Sequence, residues 1–75
     1  MKTIIDPIEQ HVIQKTLKLR KEHHLTQQDI AEILNTSASF IGNVENNCSS
    51  AKYNLMHISR LAQYFGVSPK FFLPD

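Results

Sequence analysis

The stretch "LTQQDIAEILNTSASFIGNVENN", Leu25 to Asn47, decides how this chain folds. It contains two short runs of apolar residues at helical spacing, separated by the polar pair Asn35-Thr36. The first run is Ile30, Ala31 and Leu34, and the second is Ile41 and Val44. Two helices joined by such a short turn cannot lie parallel, so they must cross steeply. Ala31 is small enough for a close crossing, and Asn35 tolerates the positive φ that such a turn usually requires.

Capping and stop signals divide the whole chain into helices. The predicted spans are about 7–23, 27–34, 37–46, 55–65 and 69–73, and the capping residues are Asp6, Thr26, Ser37, Asn54 and Ser68. Asn46-Asn47 and Gly66 are residues of the kind that ends helices. No segment shows sustained alternation of apolar and polar residues, so no sheet is expected. The sequence therefore predicts an all-α, five-helix bundle that forms one domain over residues 1–75, with its core at about 7–73.

Apolar stripes on the first and fourth predicted helices are expected to complete the core. The first stripe is Ile8, Val12, Ile13 and Leu17, with Leu19 as a further candidate, and the second is Leu55, Ile58, Leu61, Ala62 and Phe65. This spacing turns one side of each helix towards the interior and leaves the other side to solvent.

Composition and charge limit the class of protein. The chain has 75 residues, 41% of them hydrophobic, and a net charge of +1. A chain this small leaves little room for a catalytic cleft, so neither an enzyme nor a cofactor is expected. The single cysteine, Cys48, excludes an internal disulfide, and the cysteine and histidine spacing shows no metal motif. No signal peptide or membrane span is recognisable, so a soluble, cytoplasmic protein is expected.

The opening stretch resembles the helix-turn-helix of the lambda-repressor/Cro-like (XRE) family. The matching positions are Leu25, Thr26, Gln27, Asp29, Ile30, Ala31, Ser37, Ile41, Val44, Glu45 and Asn46. The flanking stretches "LKLRKEHHLTQ" and "LMHISRLAQYFGVSPKFFL" extend the resemblance over about Val12 to Leu73. Asn35 and Asn47 stand where the family usually has glycine, and both tolerate positive φ. The loop after the third helix, which is often basic in the family, has only Lys52.

The resemblance implies that the third helix reads double-stranded DNA. Its N-terminal half would enter the major groove, where Ser39 and Asn43 are expected to contact bases and Ala38 a thymine methyl group. The residues assigned to the DNA backbone or its flank are Gln27, Ser37, Phe40, Asn46, Asn47, Lys52 and Tyr53. The alternative is that these are solvated helix or loop residues without such a role. Phe40 either presses on a sugar or thymine methyl group or covers Val44.

The resemblance also implies a structural ion pair between Arg20 and Glu45, which would join the first helix to the third. Three lysines and one arginine cluster between Lys15 and Lys21, but no lysine or arginine occurs from Asp29 to Ala51. The basic cluster is either a solvated face or a source of long-range attraction to DNA. Because the binding surface lacks cations, its affinity for DNA is expected to depend only weakly on salt.

The sequence thus predicts a sequence-specific transcriptional regulator that binds double-stranded DNA. One domain contacts few base pairs, so a homodimer is expected, with half-sites about 34 Å apart. The resemblance implies a dimer contact through the C-terminal segment, where Phe71, Phe72 and Leu73 could instead close the core. The alternative function is a protein-interaction module, such as an antitoxin or a regulatory adaptor, for which DNA binding would be weak or secondary.

Overall fold

The computed structural model describes residues 6–46 and 50–75, and these ranges contain four α-helices and one 3-10 helix. The α-helices are α1 (Pro7–Glu22), α2 (Gln27–Leu34), α3 (Ala38–Asn46) and α4 (Leu55–Phe65). Within these ranges there is no strand, so the all-α prediction is confirmed for this part of the chain. The helix stop predicted at Asn47 lies outside the described residues.

Reciprocal capping hydrogen bonds start α2 and α4 at the residues predicted from the sequence. Thr26 Oγ1 accepts from the Asp29 N–H at 3.0 Å, and Asp29 Oδ2 accepts from the Thr26 N–H at 2.8 Å. At α4, Asn54 Oδ1 accepts from the His57 N–H at 2.8 Å, and His57 Nδ1 accepts from the Asn54 N–H at 3.2 Å. These bonds satisfy amides that a helix cannot satisfy internally, so both helix starts are well defined.

The prediction of a fifth α-helix is wrong, because the C-terminal segment is a 3-10 helix of four residues, Pro69–Phe72. Pro69 suits the start of a helix because its φ is already helical. Leu73 is extended, with φ −100° and ψ 151°, and it precedes Pro74. A proline ring disfavours the helical conformation in the residue before it, so the segment cannot continue as a helix. Phe72 is nevertheless completely buried and closes the core between α1 and α4.

One apolar core lies where the helices meet. α2 packs against α3 and α4, and α1 packs against α3 and the 3-10 helix. The buried apolar residues are Val12, Ile13, Ile30, Ala31, Leu34, Ile41, Val44, Tyr53, Ile58, Leu61, Ala62 and Phe72. Two residues predicted for the core are exposed instead: Ile8 is 57% exposed and Leu55 is 82% exposed. Both stand in the first turn of their helices, at the edge of the bundle, where they line an apolar groove with Leu73.

Candidate nucleic-acid interface

The turn between α2 and α3 sets the position of both helices. Asn35 ends α2 in the left-handed conformation, with φ 57° and ψ 50°. The Thr36 N–H then donates to the Ala31 carbonyl at 2.8 Å. Ser37 Oγ accepts from the Phe40 N–H at 3.1 Å and starts α3. Ala31 itself is completely buried, as a close approach of α2 and α3 requires. Asparagine therefore occupies the positive-φ position that the sequence assigned to it.

α3 presents a polar face to solvent. Ile41 and Val44 are completely buried and face the core. Ser39, Asn43 and Asn46 are exposed. Their spacing of four and three residues puts the three side chains on one side of the helix. The two residues predicted to contact bases, Ser39 and Asn43, therefore lie next to each other on the accessible face.

A carboxylate near the end of α3 joins three parts of the fold. Arg20 donates through Nε to Glu45 Oε2 at 2.8 Å and through Nη2 to Glu45 Oε1 at 2.9 Å. Arg20 Nη1 also donates to the Leu25 carbonyl at 2.9 Å, and Gln27 Nε2 donates to Glu45 Oε1 at 2.9 Å. The Arg20 side chain is 14% exposed and that of Glu45 is 8% exposed. These four residues form the Glu45 clamp, which fixes α1, the start of α2 and α3 to one another.

Gln27 lies across α3 as part of the Glu45 clamp. A Cβ added at Gly42 would lie 3.4 Å from Gln27 Oε1, an ordinary contact distance, so the Gln27 side chain lies directly against Gly42. A side-chain amide has two N–H groups, and the bond to Glu45 uses one of them. The other, together with the first amides of α2, is the kind of donor group that suits a phosphate oxygen. This contact between Gln27 and Gly42 could not be predicted, because it depends on how a side chain from another helix is oriented.

Tyr53, which the sequence analysis assigned to the DNA backbone or its flank, is buried in the structure. Tyr53 is only 6% exposed, and its ring packs edge-on against Phe40 and His57, with centroids 6.4 Å and 5.9 Å away. Burial raises the pKa of its phenol, so the group is neutral. Phe40 is half-buried and also contacts His57, with the ring centroids 5.6 Å apart. The sequence placed Tyr53 in a loop, but an aromatic side chain in a short connection can be drawn into the core that the connection crosses.

The protein should lose stability as the pH falls below about 6.5, the usual pKa of histidine. Burial, and secondarily the charge of Arg60, lower the pKa of His57 in the folded state. The unfolded chain therefore binds more protons just below pH 6.5, so stability rises with pH in that window. Protonation would also convert His57 Nδ1, which accepts from the Asn54 N–H, into a donor.

Urea unfolding at pH 7.5 and at pH 5.5 measures this change. The variant His57→Gln keeps an acceptor at the third position of α4, and it should show a smaller loss between the two pH values. Equal losses in the variant and the wild-type protein would assign the effect to other groups.

Lys52 forms an ion pair with Glu9 of α1, away from α3. Its Nζ lies 2.9 Å from Glu9 Oε2, in the first turn of α1. The hydrogen bond between them lowers the pKa of Glu9 and raises the pKa of Lys52. A contact with the DNA backbone would therefore have to compete with this ion pair. The other loop residue predicted to contact the backbone, Asn47, lies outside the described residues, as does Cys48.

A family model described as helix-turn-helix matches residues 17–72, which include all of α2, α3 and α4. The chain belongs to this family. The match has the Cro/CI (XRE) type, as the resemblance of the opening stretch indicated. No curated protein and no solved structure matches the chain.

Members of this helix-turn-helix family are DNA-binding regulators, are generally not enzymes, and often bind DNA as dimers. In the described ranges, 6–46 and 50–75, no histidine, cysteine, aspartate and glutamate side chains gather in a group of three or more that could hold a metal ion. The helices in those ranges are too short or too polar to cross a membrane.

Proposed function

We propose that this helix-turn-helix protein is a transcriptional regulator that reads a specific sequence in double-stranded DNA through α3. The observation that supports it most is the exposed pair Ser39 and Asn43, on the outer face of the second helix of a matched helix-turn-helix. Asparagine can form two hydrogen bonds with adenine, and serine can bond to several bases. Ala38, half-buried at the first turn of α3, would contact a thymine methyl group.

Uncharged side chains and the first amides of α2 would bind phosphates of the DNA backbone and so position the protein on the duplex. Gln27 stands at the first position of α2, with its side chain held by Glu45 at 2.9 Å. Amides and helix N-termini commonly bind phosphate oxygens without reading the sequence. Asn46 belongs to the exposed face of α3, and Ser37 and Phe40 flank that face. All three would complete this contact. Tyr53 is buried, so the proposal assigns it no contact with the DNA backbone.

A homodimer is part of the proposal. Ile8, Leu55 and Leu73 are exposed apolar side chains on one groove beside α4. Covering them with a second copy would remove apolar surface from water, which favours association. Phe72 is buried in the core, so only the outer residues of the predicted C-terminal contact remain accessible.

Selection of bound duplexes from a random DNA pool at low salt, read by sequencing, tests the proposal. The expected result is a motif with two-fold symmetry whose half-sites lie about 34 Å apart. A variant with Asn43→Ala should lose part of that motif in each half-site. A folded protein that selects no motif would contradict the proposed function.

Binding of a partner protein is the second candidate, and one specific observation favours it. Met56 and Tyr64 of α4 are 60% and 55% exposed, and both line one open depression together with Ile33. Such a surface suits a protein partner and lies on a different helix from the DNA-reading face. Substitution of Ser39 and Asn43 would weaken recognition of the selected DNA but leave this second interaction intact.

A further inference from the structure

An open depression of about 510 Å³ lies between the C-terminal end of α1 and α3. Asn43 and Asn46 line it from α3, Gln27 lines it from α2, and Lys21 lines it from α1. Because Asn43 and Asn46 also belong to the exposed face of α3, the depression continues that face towards the C-terminal end of the helix.

The charges around this depression leave one positive charge in excess. Arg20 and Glu45 both line it, but they neutralise each other at 2.8 Å. Lys21 is exposed, and no carboxylate of the described residues lies within 4.0 Å of its amino group. The other lysines with defined contacts face elsewhere: Lys52 pairs with a glutamate of α1, and Lys15 lies over an aromatic ring of the 3-10 helix.

The uncharged donor of the depression that does not read bases matches an anion that only accepts hydrogen bonds. It is the Gln27 side-chain amide, which has one N–H that Glu45 does not use. A DNA phosphate has only acceptor oxygens near neutral pH, and it is bound in proteins by amides together with lysine or arginine. Lys21 adds the cation that the segment from Asp29 to Ala51 lacks.

We infer that Lys21 binds a phosphate of the DNA backbone at the C-terminal end of α3. The inference rests on the proposed function. It adds a DNA contact from a residue of α1, outside the helix-turn-helix formed by α2 and α3. Lys21 would hold the backbone at the opposite end of α3 from the start that enters the major groove. The chain thus supplies from α1 the ionic contact missing from residues 29–51.

The salt dependence of DNA affinity tests this inference, with Lys21→Gln compared with Lys70→Gln. Lys70 is exposed on the 3-10 helix and gives the same change in net charge away from the depression. For the wild-type protein, the slope of log K against log salt should be shallower than about −6, because few phosphates are neutralised by cations. Lys21→Gln should make the slope less negative by about 0.9, the contribution of one phosphate contact.

Two further readouts separate this role from others. Lys21→Gln should weaken binding to the selected duplex and to a scrambled duplex by the same factor, whereas Asn43→Ala should weaken only the former. Lys21→Arg should retain the wild-type slope, and unfolding in urea should be unchanged in both variants. Equal slopes for Lys21→Gln and Lys70→Gln would overturn the inference while leaving the proposed function standing. A wild-type protein that binds no duplex would overturn both.

Discussion

Replacing Arg20 with alanine is expected to lower the free energy of unfolding by about 3–5 kcal/mol, the usual cost of removing one partner from a buried ion pair. The Glu45 side chain is only 8% exposed, and it would lose both of its hydrogen bonds from arginine. The Leu25 carbonyl would also lose its donor at 2.9 Å. Gln27 would remain as the one described donor to a carboxylate that is still charged and poorly solvated.

Urea unfolding followed by circular dichroism measures this loss, and Lys18→Ala is the matched control. Lys18 is an exposed residue of α1, so its removal should change stability by less than about 0.5 kcal/mol. The double variant Arg20→Ala/Glu45→Gln should be more stable than Arg20→Ala alone, because no unpaired charge would then be buried. A loss below about 1 kcal/mol in Arg20→Ala would mean that the carboxylate is adequately solvated without its partner.

Replacing Ser39 and Asn43 together with alanine is expected to weaken binding to the selected duplex by roughly 100-fold. Loss of a two-bond contact between asparagine and adenine costs about 1–3 kcal/mol, and loss of one neutral hydrogen bond costs about 0.5–1.5 kcal/mol. Both side chains are exposed and absent from the Glu45 clamp, so folding should be unaffected. Fluorescence anisotropy with labelled duplexes would give the dissociation constants.

The control for this second prediction is Gln63→Ala, an exposed amide of α4 on another surface of the molecule. It should bind the selected duplex like the wild-type protein. Binding of the double alanine variant to a scrambled duplex should also be nearly unchanged, since phosphate contacts do not depend on the base sequence. A double variant that still binds the selected duplex at wild-type strength would show that α3 is not the reading helix.

The predicted α-helices and the turn between α2 and α3 depended on local signals, which is why they agree with the structure. Thr26 and Asn54 act on amides three residues away, and Asn35 sets its own φ. Such interactions are contained in a few neighbouring residues and need no knowledge of the tertiary fold. The C-terminal segment differs from the prediction because Pro74 disfavours the helical conformation at Leu73, and the apolar pattern does not contain this effect.

The remaining differences between prediction and structure depend on how the helices are placed relative to one another. The periodicity of apolar residues in the sequence does not contain that information. Ile8 and Leu55 have core spacing but stand at helix ends on the edge of the bundle. Tyr53 belongs to a loop, but its ring is buried and packs edge-on against Phe40. The place of Lys21 beside α3 depends on the neighbouring Arg20, whose link to Glu45 brings the end of α1 against the third helix. The predicted ion pair between Arg20 and Glu45 is therefore the sequence signal from which the position of Lys21 beside α3 could have been predicted.

The separation between the Glu45 clamp and the outer face of α3 has a consequence for how this protein can diverge. The clamp fixes the orientation of α3 relative to α1 and α2. It uses none of the side chains on the exposed face of α3. Positions 39 and 43 can therefore exchange their residues as a set while the scaffold stays the same. Under the proposed function, duplicated copies of such a gene would acquire different target sites through two codons, with no compensating change in the interior.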